Sequence, residues 1–339
     1  MTSPKQRAAR FLPSFLVELL DRLVFRWRRG RVRLTRRLAA ACGYNIVKRD
    51  DYYSVLPVLE ELQETRDRWD RPSDLVGLDV DVAALRDRLA ALADRWEDDY
   101  RRRAGSWADN QQRGFGPGYP LFDARTLYYT LREEKPRRYL EVGSGLSTYY
   151  ASLAAAANAE EGHPLQVSCV EPYPYDALRT IDGIELIQDF VQNVPLDRFT
   201  ELEAGDVLFI DSSHTFKIDS DVAFLLLEVL PRLRPGVIVH IHDVPFPFNT
   251  PYPADFWMFG ERWPVYWNEA MTVQTFLAFN SSFRVELSTP LVRHHDEAFL
   301  TGRFSDYVRV ADDPNPPSSL WLRRVDGAAL ADATTPGHG

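Results

Sequence analysis

From Tyr139 onward, short apolar runs alternate with stretches in which apolar residues recur every third or fourth position. Short runs bounded by turn residues predict buried strands, and the longer recurrence predicts helices packed on them. Strands are expected at Tyr139–Val142, Gln166–Val170, Ile184–Ile187, Asp206–Asp211, Val237–His240, Phe283–Leu287 and Ser319–Val325. Helices are expected at Asp123–Glu134, Ser147–Asn158, Tyr175–Thr180, Asp219–Leu233 and Trp267–Asn280, with Asp123 capping the first and Pro136 ending it. This alternation predicts a Rossmann-like, doubly wound α/β fold: a mostly parallel seven-stranded sheet with helices on both faces.

The N-terminal third reads differently. Over residues 5–37, Phe11, Leu12, Phe15, Leu16, Leu19, Leu20, Leu23, Val24 and Trp27 recur at helical steps among eleven basic residues and only Glu18 and Asp21. That pattern is a basic amphipathic helix, which fits either docking on protein, its own or another subunit's, or peripheral contact with an anionic membrane. Asp50–Trp69 and Val80–Arg103 are also expected to be helical, the second through a stripe of Leu85, Leu89, Leu92 and Trp96. The segment Gly114-Phe115-Gly116-Pro117-Gly118-Tyr119-Pro120 breaks regular structure. It is the expected boundary between an N-terminal helical extension, 1–113, and the α/β domain, 114–330, and it also suits a lid. Residues 331–339, rich in Gly, Pro and Thr, read as a disordered tail.

Composition narrows the function more than the fold. A formal net charge of −9 argues against nucleic acid as the main partner. Two cysteines, Cys42 and Cys169, without metal spacing fit a reducing, cytoplasmic location, and no apolar run is long enough to predict a membrane span.

Polar residues gather where the predicted strands end: Glu141, Glu171, Asp211, His242 and Asp243. Ligands of doubly wound sheets bind at those ends. Glu141-Val142-Gly143-Ser144-Gly145-Leu146-Ser147-Thr148 is a strand, a glycine turn and a helix start, the arrangement that receives a nucleotide-type cofactor. Glu171 is placed to accept ribose hydroxyls. Thr148 occupies the position of the third glycine that a pyrophosphate requires, which disfavours an NAD-dependent oxidoreductase. An acidic Glu141 suits the cationic S-adenosylmethionine.

These residues resemble class I S-adenosylmethionine-dependent methyltransferases, in a bacterial, mostly uncharacterised branch that acts on small molecules. The resemblance extends over Phe209-Ile210-Asp211-Ser212-Ser213-His214, the stretch from Arg234 to Asp243, and Trp267-Asn268-Glu269. It implies cofactor contacts from Glu141, Gly143, Ser144, Gly145, Glu171, Gln192, Asn193 and Asp211. It implies O-methylation of a small-molecule or glycan hydroxyl, with His214 or His242 as base and Asp211 and Asp243 orienting the acceptor. Relatives that hold magnesium do so at the positions of Asp211, His242 and Asp243. An imidazole in that set favours a softer divalent ion. Competing readings are helix or turn capping for Asp211 and Asp243, a core role for His240, and an exposed loop for His294, His295 and Asp296. The aromatic cluster from Phe246 to Trp267 suits either core or a substrate wall. A non-catalytic assembly protein that keeps the fold is the remaining alternative.

Overall fold

In the computed structural model, residues 14–49, 51–116, 118–313 and 315–326 are described. The chain divides into two compact units, Met1–Glu64 and Thr65–Gly339. In the first, helix α1 spans Ser14–Ala41. Residues 51–58 that follow are irregular, so the helix expected over 50–69 is reduced to two short pieces, Leu59–Glu64 and Arg66–Trp69. Residues 5–13 of the basic stretch and the 331–339 tail lie outside the described residues.

The second unit is built on seven strands: β1 (Arg138–Val142), β2 (Gln166–Val170), β3 (Ile184–Ile187), β4 (Val207–Ile210), β5 (Ile238–Ile241), β6 (Phe283–Ser288) and β7 (Leu320–Arg324). Their order is β3-β2-β1-β4-β5-β7-β6; the first five pair in parallel, and β7 runs antiparallel between β5 and β6. Strands β4 and β5 are buried along their whole length, which is why β4 reads as an unbroken apolar run and β5 as one interrupted only by His240. Strand order reverses between β1 and β4, so the carboxyl ends of those strands open the crevice where ligands bind.

Helix α2 (Val82–Ala104) starts at Asp81, whose side chain accepts from the Ala84 N–H, and it belongs to this unit. Its Leu85, Leu89, Leu92 and Tyr100 are buried in the common core. Trp96 Nε1 donates to Glu133 on α3 (Leu121–Glu134) at 2.8 Å. The compact unit therefore begins at Thr65, well before the glycine-rich segment expected to be the boundary. The sequence could not separate an extension helix from a core helix by its own periodicity.

Helix α4 (Leu146–Glu160) follows the glycine turn. The helix expected at 219–233 is α-helical only over Asp221–Phe224, here α5, then π over Leu225–Val229 and 3-10 over Leu230–Arg232. Helix α6 (Glu269–Leu277) precedes β6. His294, His295 and Asp296 lie in α7 (Thr289–Arg303), at a kink centred on Asp296, and not in a loop. A Ser288 cap and Pro290 at the helix start outweigh the polar run that suggested a loop.

Candidate active site

The glycine turn is shaped by close backbone approach. Gly143 adopts φ +85°, and a Cβ there would lie 1.8 Å from the Asp211 carbonyl oxygen. Its N–H donates to the Val170 carbonyl at 3.0 Å, while the Asp211 N–H donates to the Val142 carbonyl at 2.9 Å. The turn is thus stitched to β2 and β4. Gly145 lies under the glycine-rich segment, where a Cβ would come within 2.9 Å of the Phe115 carbonyl. The Phe115 ring stacks on Tyr149 with centroids 5.1 Å apart. Thr148 has its own role: its Oγ1 accepts from the Gly145 N–H at 3.1 Å and closes the turn.

Glu141 is fully buried on β1, accepting from Ser147 Oγ, and does not line the adjoining cleft. Burial pushes its carboxyl up to about 8, against the hydrogen bonds from Ser147 and Thr148. A cleft of about 450 Å³ opens beside the turn, bounded by Gly143, Glu171, Tyr173, Gln192, Asp211 and Ser212. Glu171 Oε1 accepts from the Tyr173 N–H at 2.8 Å. Gln192 donates through Nε2 to the Asp219 carbonyl at 2.8 Å, and its Oε1 is buried without a hydrogen-bond partner among the described residues. Ser212 Oγ and Ser144 Oγ are likewise unpartnered. Asn193 is exposed, tied to Asp189 at 2.7 Å, and stands outside the cleft lining.

At the ends of β4 and β5 the cleft meets a cluster of carboxylates and imidazoles. His214 Nε2 lies 3.3 Å from Asp211 Oδ1 and 3.4 Å from Asp243 Oδ2, with Nδ1 2.9 Å from Glu269 Oε2. His242 repeats the arrangement: Nδ1 is 3.3 Å from Asp211 Oδ1 and 3.6 Å from Asp243 Oδ1, and Nε2 is 3.1 Å from Asp123 Oδ2. Each imidazole therefore faces the shared Asp211–Asp243 pair with one nitrogen and a buried carboxylate with the other. Burial alone would lower both imidazoles, but the surrounding carboxylates win and hold each well above the ordinary histidine value. Burial would raise Asp211, yet His242 and His214 hold it well below the ordinary carboxylate range.

The backing carboxylates are anchored in turn. Asp123 accepts from the Ser318 N–H at 2.8 Å and Thr289 Oγ1 at 3.1 Å, so it joins α3, the start of α7 and the approach to β7. It is not the helix cap expected from sequence; α3 begins two residues earlier, after Pro120, and Asp123 is buried one turn in. Glu269 opens α6, and its N–H and that of Asn268 both donate to the His214 carbonyl, at 3.2 and 3.1 Å. Ser318 Oγ donates to Asp243 Oδ1 at 2.9 Å. Asp211 and Asp243 face this cluster, and neither acts as a helix cap, since Ser220 caps α5 and Pro253 precedes the Ala254–Trp257 helix.

Asp211, His214 and Asp243 each bring a ligand atom within 4.8 Å of the others. This grouping takes Asp211 and Asp243 of the set expected from sequence together with His214, while the expected His242 faces the same two carboxylates from the other side. The reason is the chain path: His214 takes φ +54° after β4 and turns its ring back over the pair of aspartates. Among the described residues His242 Nδ1 has no aligned hydrogen-bond partner, and it points at Asp211 from the other side. His240 is a core residue, stacked on Trp321 with centroids 4.2 Å apart, its two nitrogens unpaired among the described residues and its basicity lowered by burial. On the far side of Asp243 a narrow crevice is walled by Tyr252, Trp257, Trp267 and Ser318. The Trp267 ring lies 4.7 Å from that of His214 and 5.0 Å from that of Trp257, so part of the aromatic run faces the cluster.

Asp123 and Glu269 are the participants that sequence reasoning did not assign. Asp123 had one visible signal, a lone carboxylate in an otherwise apolar stretch, Leu121-Phe122-Asp123-Ala124.

Residues 140–244 match the family model described as a methyltransferase domain. No curated protein sequence matches the chain. Among solved structures, the chain is similar to the O-methyltransferase TomG from Streptomyces achromogenes, involved in tomaymycin synthesis and in complex with SAM. The identity is 14%, with 65% of this chain and 88% of that chain covered and a TM-score of 0.40. It is also similar to an O-methyltransferase from Bacillus cereus in complex with SAH, at 12% identity, 79% and 100% coverage and a TM-score of 0.36. A putative O-methyltransferase from Klebsiella pneumoniae gives 15% identity, 65% and 87% coverage and a TM-score of 0.39.

Proposed function

We propose, from the match of residues 140–244 to a methyltransferase-domain model, that the protein transfers a methyl group from S-adenosylmethionine to a hydroxyl of a small-molecule or glycan acceptor. The observation that carries this reading is the junction of two unlike half-sites. An acidic cleft with unpartnered polar groups adjoins, through Asp211, a cluster of carboxylates and imidazoles. The residues present fit the cofactor. Glu171 suits a ribose diol, and the buried Gln192 Oε1 is an acceptor suited to an adenine amine. Gly143 leaves the cleft floor free of side chain, Gly145 and Ser144 shape the turn behind it, and Glu141 supports them from beneath. Asn193 contributes only by bracing the loop at Asp189.

S-adenosylmethionine supplies an electrophilic methyl group when bound. The protein's task is then to align the acceptor oxygen about 3 Å from that carbon and to receive its proton. Asp243, steadied by Ser318, is placed to accept the acceptor's hydroxyl hydrogen bond. Where no cation occupies the cluster, His214 Nε2, oriented by Glu269, is the first candidate to take the proton, and His242 Nδ1, oriented by Asp123, is the second. Each acts in its neutral form, which is favoured only above its raised pKa. Trp267, Trp257 and Tyr252 exclude water on the acceptor side. A divalent cation fits Asp211, His214 and Asp243; it would lower the acceptor's pKa, and the imidazole in the set favours manganese or zinc over magnesium.

Calorimetry with S-adenosylmethionine and S-adenosylhomocysteine tests the cofactor assignment. Both should bind, and Glu171→Ala should weaken binding by about 10-fold or more, the scale of a lost charged hydrogen bond. A folded sample that binds neither would remove the proposal. An NAD-dependent oxidoreductase is not favoured, because Thr148 uses the third-glycine position to close the turn. NADH should leave intrinsic fluorescence unchanged.

A further inference from the structure

Helix α1 has no part in the methyl-transfer reading. Trp27, Leu34 and Leu38 are spaced seven and four residues apart, which puts them on one face of the helix. They are 61%, 60% and 60% exposed. Arg31 lies over the Trp27 ring at 4.7 Å, so a cation borders the apolar row. Arg33, Arg36 and Arg37 line a groove of about 580 Å³ together with Tyr44 and Asn45. At about 100° per residue Arg33 and Arg37 stand on one flank of the row and Arg36 opposite it, so Arg31, Arg33 and Arg37 are the guanidinium groups able to meet phosphate oxygens at a surface that the row faces.

The charge of the chain is divided sharply. Residues 1–40 hold eleven basic and two acidic residues, a net of nine positive charges, so a chain with net charge −9 carries eighteen net negative charges in the remainder. A second copy paired along the apolar row would set arginine against arginine, because α1 has no acidic residue after Asp21. A nucleic acid would match the arginines but leave the apolar row in water. An anionic bilayer matches both: apolar side chains enter the boundary between headgroups and acyl chains while basic ones meet lipid phosphates.

We infer that α1 lies on the surface of an anionic phospholipid membrane, with Trp27, Leu34 and Leu38 inserted and Arg31, Arg33 and Arg37 holding headgroup phosphates. Each basic residue at such a surface contributes about a fivefold factor in affinity, so the three together contribute on the order of a hundredfold.

Sedimentation of the full chain with vesicles tests this, using phosphatidylcholine alone or phosphatidylcholine with about one third phosphatidylglycerol. The protein should pellet with the anionic vesicles and stay in solution with the neutral ones, and added salt should release it. A triple Arg31→Gln, Arg33→Gln, Arg37→Gln variant should lose affinity on the order of a hundredfold. A Leu34→Asp, Leu38→Asp variant should also be released, with circular dichroism verifying that both remain folded. Equal sedimentation with both vesicle types, none with either, or no effect of the triple variant would overturn the inference. So would displacement by millimolar inorganic phosphate, which marks a soluble phosphate site. A dimer in light scattering that Leu34→Asp, Leu38→Asp dissociates, without vesicle binding, assigns the row to a second copy and also overturns it.

Discussion

Glu141 shows how one buried carboxyl can set a pH limit for the whole protein. Below its ordinary value of 4.5, folded and unfolded chains both keep the proton. Between that value and about 8 only the folded chain does, so each pH unit removes about 1.4 kcal/mol of stability, and above about 8 the loss is complete. Denaturant unfolding should therefore give a smaller free energy at about pH 8.5 than at about pH 5.5, and Glu141→Gln should flatten that slope. An unchanged slope in the variant would assign the pH dependence elsewhere. The imidazoles offer a second test. His214 should titrate above 6.5 in nuclear magnetic resonance, and Glu269→Gln, which keeps the shape and removes a charge, should bring its midpoint down. The same midpoint in both proteins would show that Glu269 does not govern His214. Asp211, His214, His242 and Asp243 were legible in sequence because they follow apolar strands, where a parallel sheet collects its chemistry. Asp123 and Glu269 were not, because both sit at helix starts, where a carboxylate usually serves the helix itself. Their partners lie 119 and 55 residues away in the chain, a relation that no local pattern encodes.

Parallel strands and their helices were equally readable, since the central strands are short, buried runs and the long helices carry an apolar stripe. The place of β7 between β5 and β6 was not readable, because the pairing of an antiparallel strand depends on contacts far along the chain. The glycine turn gives a graded prediction at this scale. Thr148→Ala leaves the Gly145 N–H without its partner and should cost about 1 kcal/mol, as loss of a helix cap does. Gly143→Ala should cost more, because the added methyl meets the Asp211 carbonyl as well as an unfavourable φ. Thermal unfolding checks the order: if Gly143→Ala were the milder change, the close approach of β4 to the turn would not be what selects glycine.

For the whole molecule, the boundary at Thr65 has a direct test. A chain of residues 65–339 retains α2 and every residue of the cofactor cleft, and should bind S-adenosylmethionine as the full chain does. A chain of residues 114–339 loses the burial of Leu85, Leu89 and Leu92, worth about 2 kcal/mol each, and should be unstable or insoluble. Equal behaviour of the two would restore the boundary at the glycine-rich segment. The Asp123 anchor bears on how the protein is made. Cofactor-cleft residues all lie between Val142 and Asp221, whereas His242 takes its orientation from a carboxylate held by Thr289 and Ser318. During synthesis, then, every residue of the cleft is added before those that anchor the carboxylate orienting His242. The proton-handling half must wait for Ser318 to emerge. A product that stops short of Ser318 would carry every residue of the cleft and lack the anchor of Asp123 that orients His242.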